Sequence, residues 1–191
     1  HSYGVDITDY DNIRNTINKI IDKNGPLNYC IFLQRYRGGG DQWSGEIETT
    51  LSATKNIVEC VSSGFGDNDN CIIMVGSVFS RYVGEGQALS YHIAKAGLEQ
   101  MMRYYALNLG KKGVRVNGIM PFTFLKEESK EFYFNNKELM GLYEKITPLD
   151  RMGATEDCSN LIMFLCSPLA SFITGQNILI DGGMSLHWPE S

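Results

Sequence analysis

Apolar residues fall along this chain in two ways, as stripes spaced three and four apart and as short unbroken runs. Ile13, Ile17, Ile20 and Ile21 form the first stripe and predict an amphipathic helix over residues 8–23. Thr8 is its expected N-cap, with Asp11 three residues on, and Asn24-Gly25-Pro26 stops it. Ile47, Leu51, Ile57, Val58 and Val61 predict a second helix over 44–63 that ends near Gly64. Ala88, Tyr91, Lys95, Leu98, Met102, Tyr105 and Leu109 predict a long one over 88–110. A last helix over 155–166 takes Thr155 as N-cap and stops at Ser167-Pro168.

Between the helices lie runs short enough for buried parallel strands: 27–33, Cys71-Ile-Ile-Met-Val75, Val114-Arg-Val-Asn-Gly-Ile119 and Asn177-Ile-Leu-Ile180. Residues 3–7 read as a short opening strand. The stretch 122–147 reads as loop and helix, rich in Phe132, Tyr133, Phe134 and Tyr143. Strands alternating with helices imply an α/β fold, a parallel sheet covered on both faces.

Composition narrows the class without choosing a function. A chain of 191 residues, 43% hydrophobic and 20% charged, suits one soluble domain over 1–191. A net charge of -5 gives no footprint for nucleic acid, and no apolar run has the length of a membrane span. The opening residues lack a charged segment followed by an apolar run and a small-residue cleavage site, so no secretory signal is expected. Cys30, Cys60, Cys71, Cys158 and Cys166 are odd in number and lack metal-type spacing, which suits buried thiols, no metal site and a cytoplasmic location.

The candidate chemistry centres on 77–95. Tyr91 and Lys95 are four apart, so on a helix they share a face, and an ammonium beside a phenol favours the phenolate. Ser77 comes directly after a strand, where its hydroxyl can meet a substrate oxygen. The bland reading makes Tyr91 a core aromatic along which Lys95 snorkels. His92 is expected to be exposed and incidental. Arg35, Arg37 and Gly38-Gly-Gly40 hint at a phosphate cradle, but the glycines match neither P-loop nor dinucleotide spacing, which favours a flexible loop.

Ser77, Tyr91-His-Ile-Ala-Lys95 with Ala96-Gly97, Val114-Arg-Val-Asn117 leading to Pro121, and Ile173-Thr-Gly-Gln176 leading to Asp181-Gly-Gly183 together resemble the short-chain dehydrogenase/reductase family. The resemblance covers most of the chain from Gly4 to Met184. It implies a Rossmann-like doubly wound parallel sheet and a carbonyl or alcohol oxidoreductase using NAD or NADP. By it, Tyr91 is the acid/base, Lys95 assists Tyr91 and holds the nicotinamide ribose, and Ser77 orients the substrate carbonyl. Asp6 would lie beside the adenine, Pro121 beside the nicotinamide, and 122–147 would be the substrate lid.

Four departures from the family pattern fall on cofactor contacts. The Asn-Asn-Ala-Gly strand end reads Phe32-Leu33-Gln34-Arg35, the helix Asn reads Thr50, and Phe122 replaces the Gly after Pro121. The chain also begins at the family's third strand, so its first two strands and the glycine-rich turn for the pyrophosphate are absent. In the family's order, 3-2-1-4-5-6-7, the opening strand then loses its neighbours and must shift, pair with another chain or fray. Binding of the cofactor by this chain alone is therefore in doubt, and a cofactor-free binding or structural subunit stays open as the alternative function. Ile93, Met101 and Tyr104 give the long helix a second apolar face, and a homo-oligomer joined through 44–63 and 88–110 is expected.

Overall fold

Four parallel strands form the sheet, in the order Tyr29–Phe32, Asn70–Val75, Val114–Pro121 and Asn177–Ile180. The structure, a computed structural model, describes residues 1–67 and 69–186. In chain order the elements are α1 (Tyr10–Asn24), β1 (Tyr29–Phe32), α2 (Gln42–Glu46), a π-helical stretch (Ile47–Ser52), α3 (Ala53–Val61) and β2 (Asn70–Val75). Then come α4 (Leu89–Gly110), β3 (Val114–Pro121), β4 (Phe124–Leu125), α5 (Lys130–Asn135), α6 (Lys137–Ile146), β5 (Gly153–Ala154), α7 (Thr155–Cys166) and β6 (Asn177–Ile180). β4 and β5 make a separate two-stranded pair.

Cys71, Ile72, Ile73 and Met74 of β2 are buried, as expected of a strand covered on both faces. Ile72, Met74 and Val116 face α3 and α4 through Val58, Leu98 and Met102. Cys71, Ile73 and Ile119 face α7 through Leu165. The chain is thus an α/β, Rossmann-like parallel sheet with helices on both faces. α1 packs through Ile13 and Ile17 against Val61 of α3.

Two sequence motifs tie β3 to the approach of β6. Asn117 donates to the Ile173 carbonyl at 2.8 Å and accepts from the Gln176 amide at 3.1 Å. Thr174 accepts from the Val116 amide at 3.0 Å. Arg115 donates to the Leu165 carbonyl at 2.6 Å, satisfying an orphan acceptor in the last turn of α7. After β6, Asp181 accepts from the amides of Gly183 and Ser185, and Gly182 and Gly183, at φ 61 and 89, supply the left-handed turn.

Several boundaries differ from expectation. Residues 3–7 form no strand: among the described residues β1 has β2 on one side and no strand on the other, and an unpaired strand is not stable by itself. Asp9, not Thr8, caps α1: the hydroxyl and amide of Thr8 both donate to Asp6, at 2.7 and 2.9 Å, while Asp9 accepts from the Asn12 amide. The helix expected over 44–63 starts at Gln42, capped by Asp41, and widens into π geometry over Ile47–Ser52. The Thr54 hydroxyl takes the Thr50 carbonyl at 2.6 Å within that stretch, and such side-chain competition for a backbone acceptor loosens a helix. Thr155 is the first residue of α7 rather than its cap, and Asp157 accepts from the Ala154 amide at 2.7 Å.

Candidate active site

β1, β2 and β3 all end at the same edge of the sheet, at Phe32, Val75 and Pro121, and a cleft of about 370 Å³ opens there. The carboxyl edge of a parallel sheet is where such folds place ligands. Ser77, Tyr91, Lys95 and Pro121 all line this cleft. A second hollow of about 490 Å³, toward α5, shares Ser77 and Tyr91 with it. Tyr91 thus stands between two open spaces.

The turn Val78–Ser80 holds Ser77 in place. Ser77 Oγ accepts from the Phe79 amide at 3.3 Å, which leaves the hydroxyl proton for another oxygen. The turn itself is anchored to α4 by Glu99, a buried carboxylate that accepts from the Ser80 hydroxyl at 2.9 Å and from Arg81 at 2.7 Å. Arg103 donates to the same carboxylate. Burial raises the Glu99 pKa, but the Arg81 and Ser80 hydrogen bonds outweigh it and hold the group below its ordinary value.

Tyr91 is half-buried, and among the described residues its hydroxyl makes no hydrogen bond within the chain. Its ring meets Phe79 edge-on at 6.3 Å and carries the Arg35 guanidinium 4.7 Å from its centroid. A cation over an exposed ring contributes ~0.5–1 kcal/mol, so Arg35 is held there only lightly. Lys95 lies one helical turn on, 4% exposed, with Nζ 5.7 Å from the Tyr91 ring and donating to the Val75 carbonyl at 3.1 Å. Burial lowers the Lys95 ammonium from its ordinary 10.5 to about 8; the field of Glu46 opposes the shift, while Arg35 and Lys126 add to it.

Glu46 is a buried carboxylate on the last turn of α2, and it accepts from the Thr50 hydroxyl at 3.3 Å. Thr50 therefore does reach toward the Lys95 side of the site, through a carboxylate. His92 is not exposed and incidental: it is half-buried, its Nε2 accepting from the Gly84 amide at 3.1 Å. That bond places the ring proton on Nδ1, which donates to the Ala88 carbonyl at 2.9 Å. His92 thereby ties the loop at Gly84 to the first turn of α4, next to Tyr91.

The loop after β1 is less free than its glycines suggest. Tyr36 accepts from the Gly40 amide at 3.0 Å, Gln34 donates to Thr54 at 2.7 Å, and Arg37 pairs with Glu128 at 3.0 Å, across the cleft mouth. Asp6 lies apart: it is exposed in the turn before α1 and does not line the cleft. Among the described residues no cluster of His, Cys, Asp or Glu is arranged to hold a metal. Burial pushes the Cys158 thiol, in the cleft wall, up to about 11, which leaves it protonated and unreactive near neutral pH.

A family model described as enoyl-(acyl carrier protein) reductase matches residues 1–185. The chain belongs to the short-chain dehydrogenase/reductase family. The L-rhamnose 1-dehydrogenase (NAD(P)(+)) of a Sphingomonas species is 38% identical over 126 residues, 66% of this chain and 48% of that protein. The 3-oxoacyl-(acyl-carrier-protein) reductase of Thermotoga maritima is 29% identical over 95% of this chain and 76% of its own length. A short-chain type dehydrogenase/reductase from Mycobacterium ulcerans superposes with a TM-score of 0.82 at 25% identity, over 96% of this chain and 69% of that one. The chain spans about half the length of the rhamnose dehydrogenase and of the Arabidopsis tropinone reductase homologues it also matches.

Short-chain dehydrogenase/reductases of this kind imply a nicotinamide cofactor, and the described residues fit it at one end. Lys95 and Pro121 line the cleft where a nicotinamide ribose would sit beside Tyr91. For the pyrophosphate they offer no matching cradle. No glycine-rich turn lines the cleft, and the amino end of α7, which reaches it through Thr155, carries Glu156 and Asp157 in its first turn, charges that repel a phosphate.

Proposed function

We propose that this chain carries the acid/base site of a short-chain dehydrogenase/reductase that interconverts a carbonyl and an alcohol with NAD(P). The observation that supports this best is Lys95, an ammonium kept buried beside Tyr91 at a cost in solvation and pinned to the end of β2. A buried amine with a displaced titration, in a cleft and next to a second titratable group, marks a functional site more often than a core contact.

In reduction, Ser77 donates a hydrogen bond to the substrate oxygen and so orients it while keeping its proton, and Tyr91 delivers the one proton that turns that oxygen into the alcohol. In oxidation Tyr91 takes the proton back. Lys95 stabilises the phenolate between these states. The bound nicotinamide would supply or accept the hydride. Lys95 and Pro121 would hold its ribose and ring. Asp6 is proposed only as an adenine neighbour in a fuller assembly, since it stands outside the cleft.

The relatives name two substrates for a first assay of the native protein, L-rhamnose with NAD(P)+ and a 3-oxoacyl thioester with NADPH, monitored by nicotinamide absorbance. Turnover of either supports the reading, and no turnover across a wider set of ketones and secondary alcohols overturns it. Whole turnover is proposed for the cytoplasmic protein in which this chain meets a pyrophosphate-binding segment. Charge-assisted bonds to a pyrophosphate contribute roughly 1.5–3 kcal/mol each, and no glycine-rich turn of backbone amides that would supply a set of them lines the cleft among the described residues. Calorimetric titration of the 191-residue chain with NADH or NADPH is therefore expected to give binding weaker than about ten micromolar. A dissociation constant of a few micromolar or tighter would show that the pyrophosphate is held elsewhere in this chain.

We also propose a homo-oligomer paired through α3 and α4. Tyr104 is 61% exposed, and Ile93 and Leu107 are exposed on the same helix. Tyr104 and Met101 line a groove of about 640 Å³ with Leu51 and Val58. A helix apolar on two sides is usually buried on two sides. Light scattering is expected to report more than one chain at tens of micromolar. Tyr104→Glu, which would bury an unpaired charge, is expected to dissociate the assembly with the fold intact; an unchanged mass would move the interface to another surface.

A further inference from the structure

The cleft on one side of Tyr91 is charged in one sense. Arg35, Arg37, Lys95 and Lys126 line the cleft, and no Asp or Glu does, in a chain whose net charge is -5. Three of these cations have acids near them. Arg37 pairs with Glu128 at 3.0 Å, Lys126 lies in the field of that same Glu128, and Lys95 lies in the field of the buried Glu46. Arg35 and Lys126 have no carboxylate within ion-pair distance among the described residues. Arg35 instead rests on the Tyr91 ring, and both press on the Lys95 ammonium. Cations gathered in a concave wall raise the positive potential met by whatever enters it.

We propose that the substrate of the Tyr91 site is a carbonyl compound, or its alcohol, bearing an anionic group that Arg35 and Lys126 bind. The proposal rests on the oxidoreductase reading, and it names the substrate class that reading leaves open. A guanidinium offers a planar fork to a carboxylate or phosphate and Lys126 adds a point charge; such bonds are stronger than the ring contact they displace. Because Arg35 stands over the Tyr91 ring itself, 4.7 Å from its centroid, the anion and the reacting oxygen must lie within a few bonds of each other on one small molecule. Arg35 comes from the loop after β1 and Lys126 from just after β4, so two separate segments bring these charges to the one cleft.

The test compares binding of levulinate, a keto acid, with its neutral ethyl ester by calorimetry at low salt, with inorganic pyrophosphate as a third probe. Levulinate is expected to bind at least about tenfold tighter than the ester, and Arg35→Gln and Lys126→Gln are each expected to remove about tenfold of that preference while leaving the ester unchanged. Both side chains are exposed, so neither variant threatens the fold, and Arg35→Lys should retain part of the preference by keeping the charge without the fork. Equal binding of acid and ester, no binding of the acid, or a preference untouched by both variants would overturn the proposal. Pyrophosphate binding about a hundredfold tighter than levulinate and lost in Arg35→Gln would also overturn it, by assigning the cations to the cofactor's phosphates. Turnover plays no part in these readouts: a charge preference that holds in a protein without carbonyl turnover would leave the anion site standing and remove the oxidoreductase reading, and neutral substrates turned over without any charge preference would do the reverse.

Discussion

Tyr91→Phe is expected to lower turnover by at least about a thousandfold while leaving melting temperature within about a degree, because it deletes the proton-bearing oxygen and nothing the fold uses. The hydroxyl has no hydrogen bond within the chain among the described residues, so no buried partner is orphaned by its loss. The ring's contacts with Phe79 and Arg35 are contacts of carbon and charge and survive in phenylalanine. Measured side by side, steady-state turnover and thermal melting separate the two roles the residue could have. Retained turnover would assign the proton transfer to another group. A large fall in melting temperature would return Tyr91 to the core, as the bland reading has it.

Legibility in the sequence depends on the physics of each element. A strand buried on both faces is a continuous apolar run, and β2 appears within a residue of where 71–75 places it; the edge strand β6 is only half-buried, yet its apolar run also places it at 177–180. The turn-to-turn relation of Tyr91 and Lys95 is helix geometry and needs no tertiary information. The same spacing extends to Glu99 and Arg103, so the carboxylate that anchors the Ser77 turn was readable on the face already singled out. Glu46 was not, since its burial depends on how α2 meets α4. Arg35 on Tyr91 was not either, because 56 residues separate them and only the loop after β1 brings them together. The opening segment is a related case: a strand at 3–7 needs a neighbour that the sheet order β1-β2-β3-β6 does not supply, and of the fates expected for it, to shift, pair with another chain or fray, the chain takes the last.

Lys95→Met carries the other large expected effect, and it has two opposite signs. Turnover should fall by about a hundredfold or more, because the charge that stabilises the phenolate is gone. Stability at neutral pH should rise. The folded chain releases the Lys95 proton near pH 8, whereas an unfolded lysine keeps it to about 10.5. Between those values the unfolded state binds more protons than the folded one, so wild-type stability climbs as pH rises through that window. Below pH 8 both states are protonated and the full cost of the buried ammonium is present. A methionine of similar length removes that cost, offset by the lost bond to the Val75 carbonyl, for a net gain of about 1–2 kcal/mol and a melting temperature roughly 2–8 °C higher at pH 7. The gap between variant and wild type should then close as pH rises from 8 toward 10.5. A stabilised, inactive variant would show that this lysine is kept for chemistry at the expense of stability, and one that is destabilised at pH 7 would make Lys95 a packing residue instead.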